Sequence, residues 1–132
     1  METSDDMAQS RILVVEDNPK NLKLVRDVLT YSGYEVIEAT TGEDGVRLAH
    51  ESSPDLILMD LQLPGIDGAE ALRQIREADE IQIPVVAVTA FAMNDDRERA
   101  FASGFDGYVE KPISVRALPQ QVRDFLRLRG TA

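Results

Sequence analysis

Cysteine and tryptophan are both missing from the 132 residues. Without a thiol there is no disulfide framework and no thiolate metal site, so a reducing compartment suits the chain. No apolar run approaches membrane-spanning length. The opening Met1-Glu-Thr-Ser-Asp-Asp-Met-Ala-Gln-Ser10 lacks the basic start and apolar core of a secretory signal. Positive charge is scarce, with 14 Lys and Arg against 24 Asp and Glu and a formal net charge of −10. That balance opposes the phosphate attraction behind most nucleic-acid binding, and it opposes an anionic membrane surface too. These absences describe a soluble cytoplasmic protein with neither nucleic acid nor membrane as partner. The length suits one compact domain. Residues 1–10 read as a short disordered tail and residues 11–129 as the folded domain, with no output domain after it.

What the chain does have is a set of apolar runs that end on polar residues. Leu56-Ile-Leu-Met59 is continuous, as expected of a central parallel strand covered on both faces, and it stops on Asp60 before a Pro64-Gly65 turn. Ile12-Leu-Val-Val15 does the same and stops on Glu16-Asp17. Asn18 then offers an N-cap and Pro19 a first helical residue, where its missing N–H costs nothing. Leu22, Val25, Val28 and Leu29 recur at helical spacing up to the Gly33 stop. Tyr34–Ala39 alternates in part, which places it nearer a sheet edge. A second helix is expected from about Glu43 to Glu51. A third, with Asp67 and Glu70 as an acidic capping box, carries Leu72 and Ile75.

The run from Pro84 to Ala90 is a fourth strand and contributes Thr89. The helix from Met93 to Gly104 has a thin apolar stripe and is expected to be the least tightly held. Gly107–Lys111 is a short fifth strand ending on a lysine followed by Pro112. Ser114 caps a last helix with Val115, Leu118, Val122 and Phe125 as its stripe, and Pro119 falls in its second turn, where a kink is expected. Five β-α units in alternation predict an α/β fold with a parallel sheet and helices on both faces, and of the doubly wound orders we choose the flavodoxin-like (βα)5 three-layer sandwich with strands in the order 2-1-3-4-5. In that order strands one and three are neighbours, and Glu16, Asp17 and Asp60 share one crevice at the carboxyl ends of the strands. Taken alone, Asp60 could equally cap a turn. Taken together, three carboxylates repel one another, and a divalent cation removes the conflict. Oxygen-only donors point to Mg²⁺.

An acid pair, a lone acid, a Ser/Thr and a Lys-Pro, each closing strands one, three, four and five, resemble the response-regulator receiver domains of two-component signalling. The segments 84–93 and Lys111-Pro-Ile-Ser114 are similar in particular to stand-alone DivK-type regulators of cell division. The resemblance implies that Asp60 accepts a phosphoryl group from a histidine kinase or a phosphotransfer protein. Glu16 and Asp17 would hold Mg²⁺ with the backbone carbonyl of Gln62, and Lys111 and Thr89 would assist the transfer. Thr89 and Tyr108 would form the switch pair, the Lys111–Pro112 peptide would be cis, and a downstream protein would read the surface of helix 4, strand 5 and helix 5. Such a protein is a phosphoacceptor rather than an enzyme.

Competing readings are a receiver fragment of a larger regulator or hybrid kinase, an aspartate-nucleophile phosphohydrolase, a nucleotide or flavin module, and a purely structural interaction module. A phosphohydrolase would usually carry a second acid at position 62, where this chain has Gln. A nucleotide module wants a glycine-rich loop where Glu16-Asp17 stands. His50 reads as an ordinary surface residue, Met59 and Met93 as packing residues.

Overall fold

The computed structural model describes residues 10–78, 83–90 and 94–130. Residues 1–9, and with them the expected tail, lie outside the described residues, as does Met93 with its expected packing role and helix start. Five strands, β1 (Arg11–Val15), β2 (Glu35–Ala39), β3 (Leu56–Asp60), β4 (Val85–Thr89) and β5 (Gly107–Glu110), alternate with five helices. The helices are α1 (Pro19–Tyr31), α2 (Gly42–Ser52), α3 (Gly68–Ala78), α4 (Asn94–Ala102) and α5 (Leu118–Gly130). All strand pairs are parallel, as the alternation of elements predicts, and the order is β2-β1-β3-β4-β5.

Strand side chains alternate between two faces, and each face has its own apolar layer. Ile12, Val14, Leu56, Leu58, Val86 and Val88 pack under Leu22, Val25 and Leu29 of α1 and Leu118, Val122 and Leu126 of α5. Leu13, Val15, Ile57, Met59, Val85 and Ala87 meet Ala49 of α2, Leu72 and Ile75 of α3 and Ala100 of α4. Every residue of β3 and β4 is buried, whereas β2 at the edge is only partly covered. The two glycines that loosened the expected start of α2 mark close approaches. A Cβ on Gly45 would come within 2.9 Å of Val15, and one on Gly42 within 2.6 Å of Ile66. α2 therefore lies against the sheet more closely than any larger residue would permit.

The last helix begins later than its apolar pattern suggests. Ser114 does cap a turn, accepting from the Ala117 N–H at 3.1 Å, but the regular helix starts at Leu118. Pro119 has no N–H to donate to the carbonyl of residue 115, so residues 115–117 remain a turn and Val115 is exposed. Pro119 is thus in the first helical turn, where it is tolerated, not in the second. The capping box of α3 is also only half formed. Asp67 accepts from the Glu70 N–H at 2.9 Å, while the Glu70 carboxylate is engaged by Arg73 and Gln74.

Candidate functional site

The carboxyl ends of β1, β3, β4 and β5 meet above the middle of the sheet, and the polar residues that close them meet there as well. Glu16 leaves β1 pointing into cover, with only 3% of its surface exposed. Its Oε2 accepts from the backbone N–H of Asn18 at 3.1 Å, and Asn18 in turn caps α1 by accepting from the N–H groups of Lys20 and Asn21. A single turn therefore starts the helix and aims the acid. Asp60 closes β3 at 4% exposure. Its Oδ1 accepts from the Gln62 N–H at 2.9 Å, and its Oδ2 from the Lys111 ammonium at 3.0 Å.

Lys111 stands just beyond β5. Its backbone N–H donates to the Thr89 carbonyl at 2.8 Å, which continues the β4–β5 pairing one step past the strand and directs the side chain over the crevice. The ammonium reaches Glu16 Oε1 and Asp60 Oδ2, both at 3.0 Å. The Lys111–Pro112 peptide is cis, as the family resemblance implies. Asp17 completes the group: Glu16, Asp17 and Asp60 offer carboxylate oxygens that all lie within 4.8 Å of one another, with Asp17 on the exposed side.

The charges in this crevice do not balance, since three carboxylates face one ammonium. Burial raises the pKa of Glu16 above the usual carboxylate range. The Lys111 ammonium and the Asn18 N–H offset part of that rise, and the nearby Asp60 adds to it. Burial alone would lower the pKa of Lys111, but its bonds to Glu16 and Asp60 outweigh this and raise it, so the lysine stays charged. A cluster of hard oxygen donors with surplus negative charge and no nitrogen or sulfur ligand fits a small divalent cation.

Thr89 is buried at the end of β4 and lines a cavity of about 260 Å³ shared with Leu61, Asp67, Arg99 and Ser103. Tyr108 on β5 is half-buried and stands in register with Ala87, two residues before Thr89. The Arg97 guanidinium lies 5.4 Å from the centre of its ring, a cation–π contact. Below it, Arg97, Phe101, Tyr108, Glu110, Gln121 and Phe125 line a groove of about 560 Å³ between α4 and α5. His50 is exposed on α2, away from the acidic crevice, consistent with an ordinary surface residue.

Glu16, Asp17, Asp60 and Lys111 are thus brought into one cluster, with Thr89 joined to it through the Lys111 backbone. Gln62 touches Asp60 through its N–H, a contact two residues away that the short-range turn chemistry of aspartate could have suggested. The Asn18 bond to Glu16 is similarly local. Arg97 over Tyr108 has no signal in the sequence, because the two lie on different elements.

Known proteins share this sequence and this fold. The chain is 46% identical over 116 residues to the polar-differentiation response regulator DivK of Brucella anthropi, covering 87% of this chain and 94% of the relative. In structure it resembles the receiver domain of a sensor histidine kinase from Pseudomonas aeruginosa, solved with a magnesium ion in its active-site cleft, at 35% identity and a TM-score of 0.82, covering 90% of this chain and 98% of that one. It is also similar to the signal receiver domain of a Luxo repressor protein from Vibrio parahaemolyticus, at 28% identity and a TM-score of 0.85, covering 93% and 94%. Residues 12–123 match the response regulator receiver domain as a family. With fold and sequence in agreement across most of its length, the chain belongs to the response regulator receiver domain family of two-component signalling.

Proposed function

We propose that Asp60 is the phosphoacceptor of this receiver, loaded by a histidine kinase or a histidine phosphotransfer protein. The observation that carries this is the position of its carboxylate: closing a central strand, oriented by the Gln62 N–H and the Lys111 ammonium, and within 4.8 Å of two further acids. Glu16, Asp17 and Asp60 would hold Mg²⁺ together with the backbone carbonyl of Gln62. When bound, the ion neutralises charge on the crevice and on the incoming phosphoryl group, which is most of what such a transfer requires. Lys111, held 3.0 Å from Asp60 Oδ2, would pair with a phosphoryl oxygen once the carboxylate carries an acyl phosphate.

Thr89 and Tyr108 are the proposed switch pair. A phosphoryl group on Asp60 offers an acceptor to the Thr89 hydroxyl, and inward movement of that side chain leaves space for the Tyr108 ring. α4 is the element best able to follow, because Ala100 is the buried residue among its described side chains. A downstream protein would then read the surface formed by α4, β5 and α5. On this reading residues 11–129 form a cytoplasmic receiver, a phosphoacceptor rather than an enzyme, with a role in polar differentiation like that named for its Brucella relative.

Intact-protein mass spectrometry after acetyl phosphate treatment tests the central assignment. Wild-type protein should gain one phosphoryl group only with Mg²⁺ present, and Asp60→Asn should gain none. Labelling of the variant at the wild-type level would remove Asp60 from the role.

A further inference from the structure

The turn that follows Asp60 is fastened at both ends. Next to the strand, Leu61 donates to the Val88 carbonyl at 3.2 Å, Gln62 donates to Asp60, and Gly68 opens α3 by donating to the Leu61 carbonyl at 3.3 Å. A Cβ on Gly68 would come within 2.9 Å of the Asp60 carbonyl, so α3 starts directly against the acid's own backbone. The outer part of the turn, Pro64-Gly-Ile66, is fastened from a different element. Glu43, in the first turn of α2, accepts from the Ile66 N–H through Oε2 at 3.3 Å.

Two glycines allow this contact. Gly65 has φ +76°, and a Cβ there would come within 2.8 Å of both Glu43 carboxylate oxygens. Gly42 precedes Glu43, and a Cβ on it would meet the Ile66 side chain and carbonyl. α2 and the β3–α3 turn therefore pack backbone to backbone, with the Glu43 carboxylate covering the bend. An acid in the first turn of a helix is also favoured by the helix dipole, which holds Glu43 where it is needed.

We infer that Glu43 is a positioning residue for the phosphoacceptor crevice: by holding Ile66 it fixes the β3–α3 turn, and through that turn the backbone of Gln62, whose N–H orients Asp60 and whose carbonyl would serve as a ligand to Mg²⁺. The inference rests on the assignment of Asp60 and Gln62 proposed above. Glu43 touches neither substrate nor ion. A turn released at its outer end samples more conformations, so the Gln62 carbonyl and the Asp60 carboxylate are less often in place together.

Glu43→Ala and Glu43→Gln test it, with amide exchange and Mg²⁺ binding read separately from labelling. Glu43→Gln retains an acceptor for Ile66 and loses the charge. Glu43→Ala should speed amide exchange at both Ile66 and Gln62 and weaken Mg²⁺ binding about fivefold, as expected from losing one modest hydrogen bond. Glu43→Gln should stay within about twofold of wild type on both readouts. Unchanged exchange at Gln62 in Glu43→Ala would overturn the inference. So would a Glu43→Gln variant as weak in Mg²⁺ binding as the alanine one, because the charge and not the contact would then matter. Should Asp60→Asn still label, the phosphoacceptor assignment fails instead, while the exchange at Ile66 and Gln62 still reports whether Glu43 holds the turn.

Discussion

The two edges of the sheet both collect charged residues, and they use them in opposite ways. At the amino edge each acid meets its own donors. Asp55 accepts from the Arg11 N–H at 2.8 Å, and the Arg11 guanidinium spans to Glu35 and the Ser52 carbonyl. Asp106 accepts from Arg76 at 2.8 Å and from the Val85 N–H at 2.9 Å, while Arg76 also holds the Ile83 carbonyl. These contacts tie strand starts to the preceding helix ends. At the carboxyl edge Glu16 and Asp60 share one ammonium, with Asp17 beside them. Acids with their own donors fasten; acids that share one leave a site that gains by taking in a cation.

The largest effect should come from removing the shared cation. Lys111→Ala leaves two buried carboxylates facing each other, and apo stability should fall by about 3 kcal/mol, the lower end for breaking a buried pair because the crevice opens to solvent on one side. Mg²⁺ should restore more stability to the variant than it adds to the wild type. Thermal melts with and without Mg²⁺ measure both, and an unaltered apo melt would mean that the crowding of charge at this edge is weaker than its geometry implies.

At the other edge, Arg76→Ala should cost about 1–2 kcal/mol through the lost bonds to Asp106 and the Ile83 carbonyl. Chemical denaturation checks the loss, while Mg²⁺ affinity and labelling at Asp60 should be unchanged. A change in metal affinity would show that the two edges are coupled, against the division of labour drawn here.

The smallest effect concerns an ion pair on the outer face of α3 that belongs to neither cluster. The hydrogen bond from Arg73, helped by Gln74, lowers the Glu70 pKa to about 2. A lowered folded-state value means that the contribution is present above the ordinary glutamate pKa and is lost as pH falls from there towards 2. Glu70 lies at the surface with 36% of its side chain exposed, so solvent screens the pair and the effect should be slight. Glu70→Gln should melt just below wild type at pH 6, with the gap closing on acidification. A gap that persists at pH 2 would trace the effect to packing and not to the ion pair.

Much of the fold could be read along the chain because its signals are local. Apolar runs ended by Glu16, Asp60 and Thr89 marked the working edge, since a strand with both faces covered has no other place to carry a charged or hydroxylated residue. Asn18-Pro19 marked the start of α1, and Asn18 accepts the expected bonds. The late start of α5 was less legible. Pro119 and Ser114 give opposing instructions, and only the packed chain shows that the cap forms a turn while the proline delays the helix. In α3, the capping bond expected of the Glu70 carboxylate does not form, because that carboxylate takes Arg73 and Gln74 along the helix face.

The residues themselves, then, determined the alternation of elements, the parallel sheet and the identity of the polar groups at its carboxyl edge, because apolar periodicity and chain connectivity suffice for those; the strand order was one choice among doubly wound sheets. Tertiary structure alone decided how the groups divide their contacts. Glu16 is buried and Asp17 is exposed although they are neighbours, since successive residues leaving a strand point to different sides. One lysine, distant in the chain, serves two acids; Arg97 covers Tyr108; Glu43 reaches across to the turn at Ile66. Each joins elements that share no local signal, so each exists only once both layers of the core have closed on the sheet and set the spacing between them.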